Sequence, residues 1–133
     1  AFASFVVATI AGKQQVIGYD ATSISGWDPQ TGRRMWKHVP KRPSDFNVPT
    51  PIVWGEKLIL STENNGTRLF GFDSDGRLID EPIAEYGQLA PDTLSPIVVG
   101  DRLFGAWNDL HCLDLKAGLK PIWIGESKTF QHY

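Results

Sequence analysis

Two stretches of this chain carry side chains that could hold a hard cation through oxygen, Glu63-Asn64-Asn65 and Asp73-Ser74-Asp75-Gly76. The second starts as a calcium loop starts, but its fifth position is Arg77 and its twelfth is Ala84, so the later ligands are missing. It reads as a turn. Asn64-Asn65-Gly66 reads as the tip of a tight hairpin, where residues that tolerate positive φ are needed. His38, His111 and His132 are far apart and have no partner at metal-ligand spacing. Cys112 is the only cysteine, which excludes an internal disulfide and a thiolate cage. It follows His111, yet neighbours on a strand point to opposite faces, so the thiol reads as a buried spacer. The dense basic stretch over 33–42 reads as the solvated outer edge of a sheet, where Lys and Arg discourage edge pairing. No catalytic, cofactor-binding or metal-binding residue is assigned, and the chain reads as not an enzyme.

The elements that must position any site follow from composition and repetition. The chain has 133 residues, 41% of them hydrophobic, and a net charge of −2 from 13 basic and 15 acidic side chains. That balance gives no cationic field for a phosphate backbone, which excludes nucleic acid as a partner. No run of roughly 18 apolar residues is present to span a bilayer. The start, Ala1-Phe2-Ala3-Ser4-Phe5, lacks Met and a basic region before an apolar core, and reads as a cut end rather than a signal peptide.

Thr50-Pro51-Ile52-Val53-Trp54-Gly55-Glu56-Lys57-Leu58-Ile59 recurs as Ser95-Pro96-Ile97-Val98-Val99-Gly100-Asp101-Arg102-Leu103-Phe104, at a constant offset of 45 residues. A fixed period of that size marks a repeat architecture in which each unit buries its apolar face on its neighbours. Short β-branched and aromatic runs between turn residues predict strands at 4–8, 15–19, 23–27 and 34–39 in a first unit. A second unit has 51–53, 57–61, 68–72 and 78–84, and a third has 96–98, 102–106, 110–113 and 121–125. Prolines 40, 43, 49, 51, 91 and 96 fall between units, where they break no interior ladder bond. The expected fold is all-β, with no helix required.

Gly26-Trp27-Asp28-Pro29-Gln30-Thr31-Gly32-Arg33-Arg34-Met35-Trp36 resembles the tryptophan-docking repeat of quinoprotein-type (PQQ-like) β-propellers. Cys112-Leu113-Asp114-Leu115-Lys116-Ala117-Gly118, ending at Trp123, is a looser copy, and the middle unit keeps Asp73 and Gly76 without a following Trp. The resemblance implies that Asp28, Thr31, Gly32, Asp73, Gly76, Asp114 and Gly118 build the turns, while Trp36 and Trp123 wedge between blades. It implies a partial propeller of about three four-stranded antiparallel blades, over 2–42, 43–88 and 89–126, with 127–133 leading into a next blade. The blade faces left uncovered at the two ends predict self-association or pairing with the remaining blades of a parent protein.

Within the resembled family some members are pyrroloquinoline-quinone dehydrogenases that use calcium, and others are scaffolds or sensors. The quinone enzymes commonly carry adjacent cysteines, which this chain lacks. The reading adopted is therefore a non-catalytic segment of a larger protein, acting as an interaction, scaffold or ligand-binding module without a cofactor. A fragment of a quinone-dependent dehydrogenase is the alternative. The resemblance also favours a periplasmic or other extracytoplasmic location in a bacterium. Propeller ligands sit on the loops around the axis, so Tyr19, Asp20, Phe46, Asn47, Glu63, Asn64, Asp92, Trp107, Asn108 and Asp109 form the candidate partner face.

Overall fold

The computed structural model describes residues 3–130, and for 126–129 the backbone only. The first sheet is a meander of β1 (Val6–Ile10), β2 (Lys13–Tyr19), β3 (Ile24–Trp27) and β4 (Arg34–His38). A second meander contains β5 (Ile52–Trp54), β6 (Lys57–Thr62), β7 (Gly66–Phe70) and β8 (Ala84–Tyr86). The third sheet has three strands, β9 (Ile97–Val99), β10 (Arg102–Asp114) and β11 (Lys120–Phe130). Every pairing is antiparallel, and no helix occurs among the described residues. Equivalent two-residue turns join β5 to β6 and β9 to β10, with Gly55 at φ 57° and Gly100 at φ 61°. A glycine is needed there because a side chain at that φ is strained.

The repeated Asp turns are built alike. Asp28 Oδ1 accepts from Gln30 N at 2.8 Å, Asp73 Oδ1 from Asp75 N at 2.9 Å, and Asp114 Oδ1 from Lys116 N at 3.0 Å. Thr31 Oγ1 accepts from Arg33 N, and Gly32, Gly76 and Gly118 all adopt positive φ. Such bonds are local, which is why the pattern could be read from spacing.

Strand alternation places the middle sheet between two cores. On β6, Leu58 and Leu60 face the first sheet with Ile10, Ile17, Ile24, Trp36 and Phe70, while Ile59 faces the third with Leu69, Leu103 and Leu113. Trp36 is 7% exposed and lies edge-on to Phe72 of the second unit, with ring centroids 5.9 Å apart. Its Nε1 donates to Gln15 Oε1 at 2.6 Å, and Gln15 Nε2 donates to Gly76 O at 2.9 Å, so one buried amide ties two units together. A Cβ at Gly26 would stand 2.3 Å from Trp36 Nε1, so only glycine lets the indole close on β3.

Three expectations are corrected. The strand expected at 78–84 is reduced to an isolated bridge, Phe72 with Leu78, and then β8. Pro82 has no N–H to give a ladder. The turn expected at 107–109 is absent, and β10 runs straight through those residues. Its first part pairs with β9 and its second with β11, and the ladder with β11 shifts register between Asn108, opposite Phe130, and Leu110, opposite Gly125. Asn108 alone takes positive φ there, at 57°, which makes a bulge, whereas a tight hairpin reversal needs a complete turn. Trp123 is 41% exposed rather than wedged. Its ring lies beside Phe104, with centroids 6.0 Å apart, on a face that no other sheet covers among the described residues.

That face also exposes Ile97 and Val99. At the other end of the stack, Val7, Val16, Trp27 and Arg34 form a register row across the first sheet, with Phe5 edge-on to Trp27. Phe5 and Val7 are exposed. The lead-in expected over 127–133 overlaps the end of β11, and residues 131–133, with His132, lie outside the described residues.

Candidate functional site

Glu63, Asn64 and Asn65 form the turn between β6 and β7, and Thr62 pairs with Gly66 across it. Only Gly66 takes positive φ. The asparagines do different work from that expected of a hairpin tip: they staple the linker between the first two sheets. Asn64 N donates to Asp45 Oδ1 at 3.0 Å, and Asn65 Nδ2 donates to Asp45 Oδ2 at 2.7 Å and to Arg42 O at 2.9 Å. Arg42 N returns a bond to Asn65 Oδ1 at 3.0 Å. Glu63 Oε1 accepts from Phe46 N, which fixes the next residue of the linker while the Phe46 ring stays exposed.

The first sheet joins this cluster through the turn between β2 and β3. Asp20 caps that turn, accepting from Thr22 N at 2.8 Å, Ser23 N at 2.7 Å and Ser23 Oγ at 2.8 Å. Those donors, with the Thr22 amide foremost, hold its carboxyl below the usual range. The Ser23–Asp20 bond is therefore a turn bond. Asn47 is buried with φ 55°, and its Nδ2 donates to Asp20 O at 3.1 Å.

Three buried oxygens in or beside this cluster have no hydrogen-bond partner among the described residues: Tyr19 Oη, Glu63 Oε2 and Asp92 Oδ1. Burial pushes the Tyr19 hydroxyl far up, with Asp45 and Glu63 adding to the shift and Arg68 opposing it. Arg68 is 5% exposed, its Nη2 donates to Thr62 Oγ1 at 2.9 Å, and burial lowers its pKa. Burial also raises Glu63, and repulsion from Asp45 and Asp92 adds to this against the amide bonds that favour its charge.

Tyr19, Asp20, Phe46, Asn47, Glu63 and Asn64 are thus tied by bonds or by field, and Asp92 reaches them through Glu63. Trp107, Asn108 and Asp109 belong to a second group within β10. There His111, buried, lies 3.3 Å by Nε2 from Trp107 O and 3.1 Å by Nδ1 from the Tyr86 hydroxyl. Burial raises the Tyr86 pKa, and Asp109 adds to it. Asp45, Asn65 and Arg68 were missing from the candidate partner face. Asn65 stood in the turn already singled out, and nothing in the local pattern marked Asp45 or Arg68.

His38 also departs from the solvated edge expected of 33–42. It is buried edge-on to Phe70, with centroids 4.8 Å apart, and its Nδ1 lies 3.0 Å from Asp80 Oδ1. Cys112 is a buried free thiol. Among the described residues no three His, Cys, Asp or Glu side chains come together as a metal cage.

Titration of Glu63 has a definite sign. The folded state favours its protonated form, so this contribution to stability is complete below the ordinary value of 4.5 and is lost as pH rises through the higher folded value. Glu63→Gln keeps an oxygen for Phe46 N and cannot ionise. Its urea midpoint relative to wild type is expected to rise as pH goes from about 4 to about 7. A difference that stays constant with pH would contradict the assignment.

Comparison with solved structures finds BamB from Moraxella catarrhalis, a β-propeller, at a TM-score of 0.59 and 19% identity, over 92% of this chain. The fold is that of a β-propeller. The chain spans 38% of the length of that structure, which accords with a part of a ring rather than a closed one. No protein-family model and no curated protein sequence matches the chain. Among the described residues no helix is long and apolar enough to cross a membrane.

Proposed function

We propose that the chain is a non-catalytic propeller segment of a larger protein and serves as a protein-interaction module, with the loop cluster around Phe46 as its contact face. The observation that carries this is the stapled linker: the side chains of Glu63, Asn64 and Asn65 bond the backbone of Phe46, Pro43 and Arg42, and Asp45 bonds back to the turn, while the Phe46 ring stays 63% exposed. A rigidly held aromatic beside hydrogen-bonding groups is a low-entropy anchor for a partner surface. The cluster's hydroxyl–carboxylate pair, Ser23 Oγ donating to Asp20 Oδ2 at 2.8 Å, closes the turn between β2 and β3.

The module is proposed to work without quinone or calcium. Cys112 stands alone and buried, where quinone enzymes of the resembled family carry adjacent cysteines. An extracytoplasmic location is part of the proposal and rests on the resemblance. A photo-crosslinking phenylalanine at position 46, in cells producing the parent protein, is expected to capture a partner that the same group at position 30, on the exposed turn at the opposite strand ends, does not. Equal labelling at both positions, or a quinone absorbance that titrates with the chain in the presence of calcium, would overturn the reading.

The isolated chain is also expected to self-associate through the faces bearing Phe5 and Val7 at one end and Ile97 and Val99 at the other, all exposed. Each such side chain left in water forgoes about 1.5–3 kcal/mol. Sedimentation at micromolar concentration should show species heavier than 14.8 kDa, and a clean monomer that binds no hydrophobic dye would count against it.

A further inference from the structure

A groove of about 530 Å³ lies where the turns joining β1 to β2 and β5 to β6 come together, at the opposite ends of β2 and β6 from the Glu63 cluster. That volume falls in the roughly 300–1,000 Å³ range of clefts that hold ligands. The two turns are tied by Ala11 N donating to Glu56 Oε1 at 2.9 Å, across 45 residues. Phe72 lines the groove, and Ile79 and Ile83 line it while standing 48% and 56% exposed. Both isoleucines come from the interrupted edge of the second sheet, where Ile79 N donates to Gly71 O and Ile83 N to Leu69 O. Scattered exposed isoleucines are ordinary, but two on one groove beside an aromatic ring make an apolar patch.

The lining is acidic. Glu56, Asp73 and Glu81 contribute carboxylates, and the one base, Lys57, has its Nζ drawn 5.6 Å from the centre of the Trp54 ring. Glu81 is exposed, with Lys41 Nζ at 4.0 Å. The enclosing residues all come from the first two sheets and the edge between them, so the groove is independent of the exposed end faces.

We propose that this groove docks a short segment of a protein partner that carries an aliphatic or aromatic anchor beside a lysine or arginine. The anchor covers Ile79 and Ile83, and the cation meets the Glu81 side of the lining. The open shape and protruding isoleucines suit a peptide surface better than an enclosed small molecule.

The test is selection of a phage-displayed random peptide library on the immobilised chain, followed by binding of the enriched peptides in solution. Enriched sequences are expected to place Leu, Ile, Val or Phe within two residues of Lys or Arg. Their affinity should fall about tenfold or more against Ile79→Asp/Ile83→Asp and against Glu81→Arg, and weaken as salt rises. Thermal melting by circular dichroism checks that the isoleucine variant folds. Glu81→Arg, at an exposed position, carries the test if it does not. No enrichment over a protein-free surface, or enriched peptides that bind both variants as wild type does, would overturn the proposal. Loss of self-association in the same variants would also overturn it, by making the groove a contact between copies.

Discussion

Trp36→Ala is expected to lower stability by about 3–5 kcal/mol, the range for truncating a large buried aromatic. The ring is nearly fully buried between the first two sheets, against Phe72, and its Nε1 bonds Gln15, which in turn bonds Gly76 O. Alanine therefore opens a cavity and leaves a buried amide oxygen unpaired. Net stabilities of small domains are about 5–15 kcal/mol, so the loss removes a large part of the total. Trp36→Phe keeps most of the apolar contact and loses only the N–H, at a cost of roughly 1–3 kcal/mol. Urea unfolding of the two variants separates cavity from hydrogen bond. Equal midpoints for wild type and Trp36→Ala would refute the docking role.

Phe70→Ala should be comparably severe, about 3–5 kcal/mol by the same cavity argument. Phe70 is almost wholly buried in the core between the first two sheets, with the His38 ring edge-on at 4.8 Å and the Arg68 guanidinium 5.9 Å from its centre. Its loss loosens two polar anchors at once: His38, which reaches Asp80, and Arg68, which braces Thr62 beside the Glu63 turn. The variant is therefore expected to melt at a lower temperature and to exchange the amides of residues 62–66 faster than wild type, even while remaining folded. Exchange unchanged by the substitution would show that the turn is held by its bonds to 42–46 alone.

The period, the Asp turns and the strand-sized runs were legible because each is a local relation. An Asx turn closes within four residues, and the 45-residue offset is visible without knowing where any unit sits. The opposition of Leu58 and Leu60 to Ile59 on β6 became visible only in the packed sheets, because the run is apolar throughout. Trp36 was legible through its spacing from Asp28 and Gly32.

The rest depended on which chain segments meet. Trp123 has spacing similar to that of Trp36, but burial is a property of the neighbouring surface, and no described sheet lies against it. Whether 107–109 would turn back or bulge hung on the pairing of β10 with β11, a contact outside any local window. The contact cluster is the clearest case. Asn64 and Asn65 carried a turn signal, and their function as staples appeared only when the 42–46 linker was brought alongside. Asp45 and Arg68 carried no signal, since burial and unlike neighbours arise from the stacking of two sheets. Sequence by itself determined the repeated unit, because turn bonds and strand-sized runs are short-range. Tertiary structure decided the site, because fields and hydrogen bonds between blades exist only after the sheets have packed.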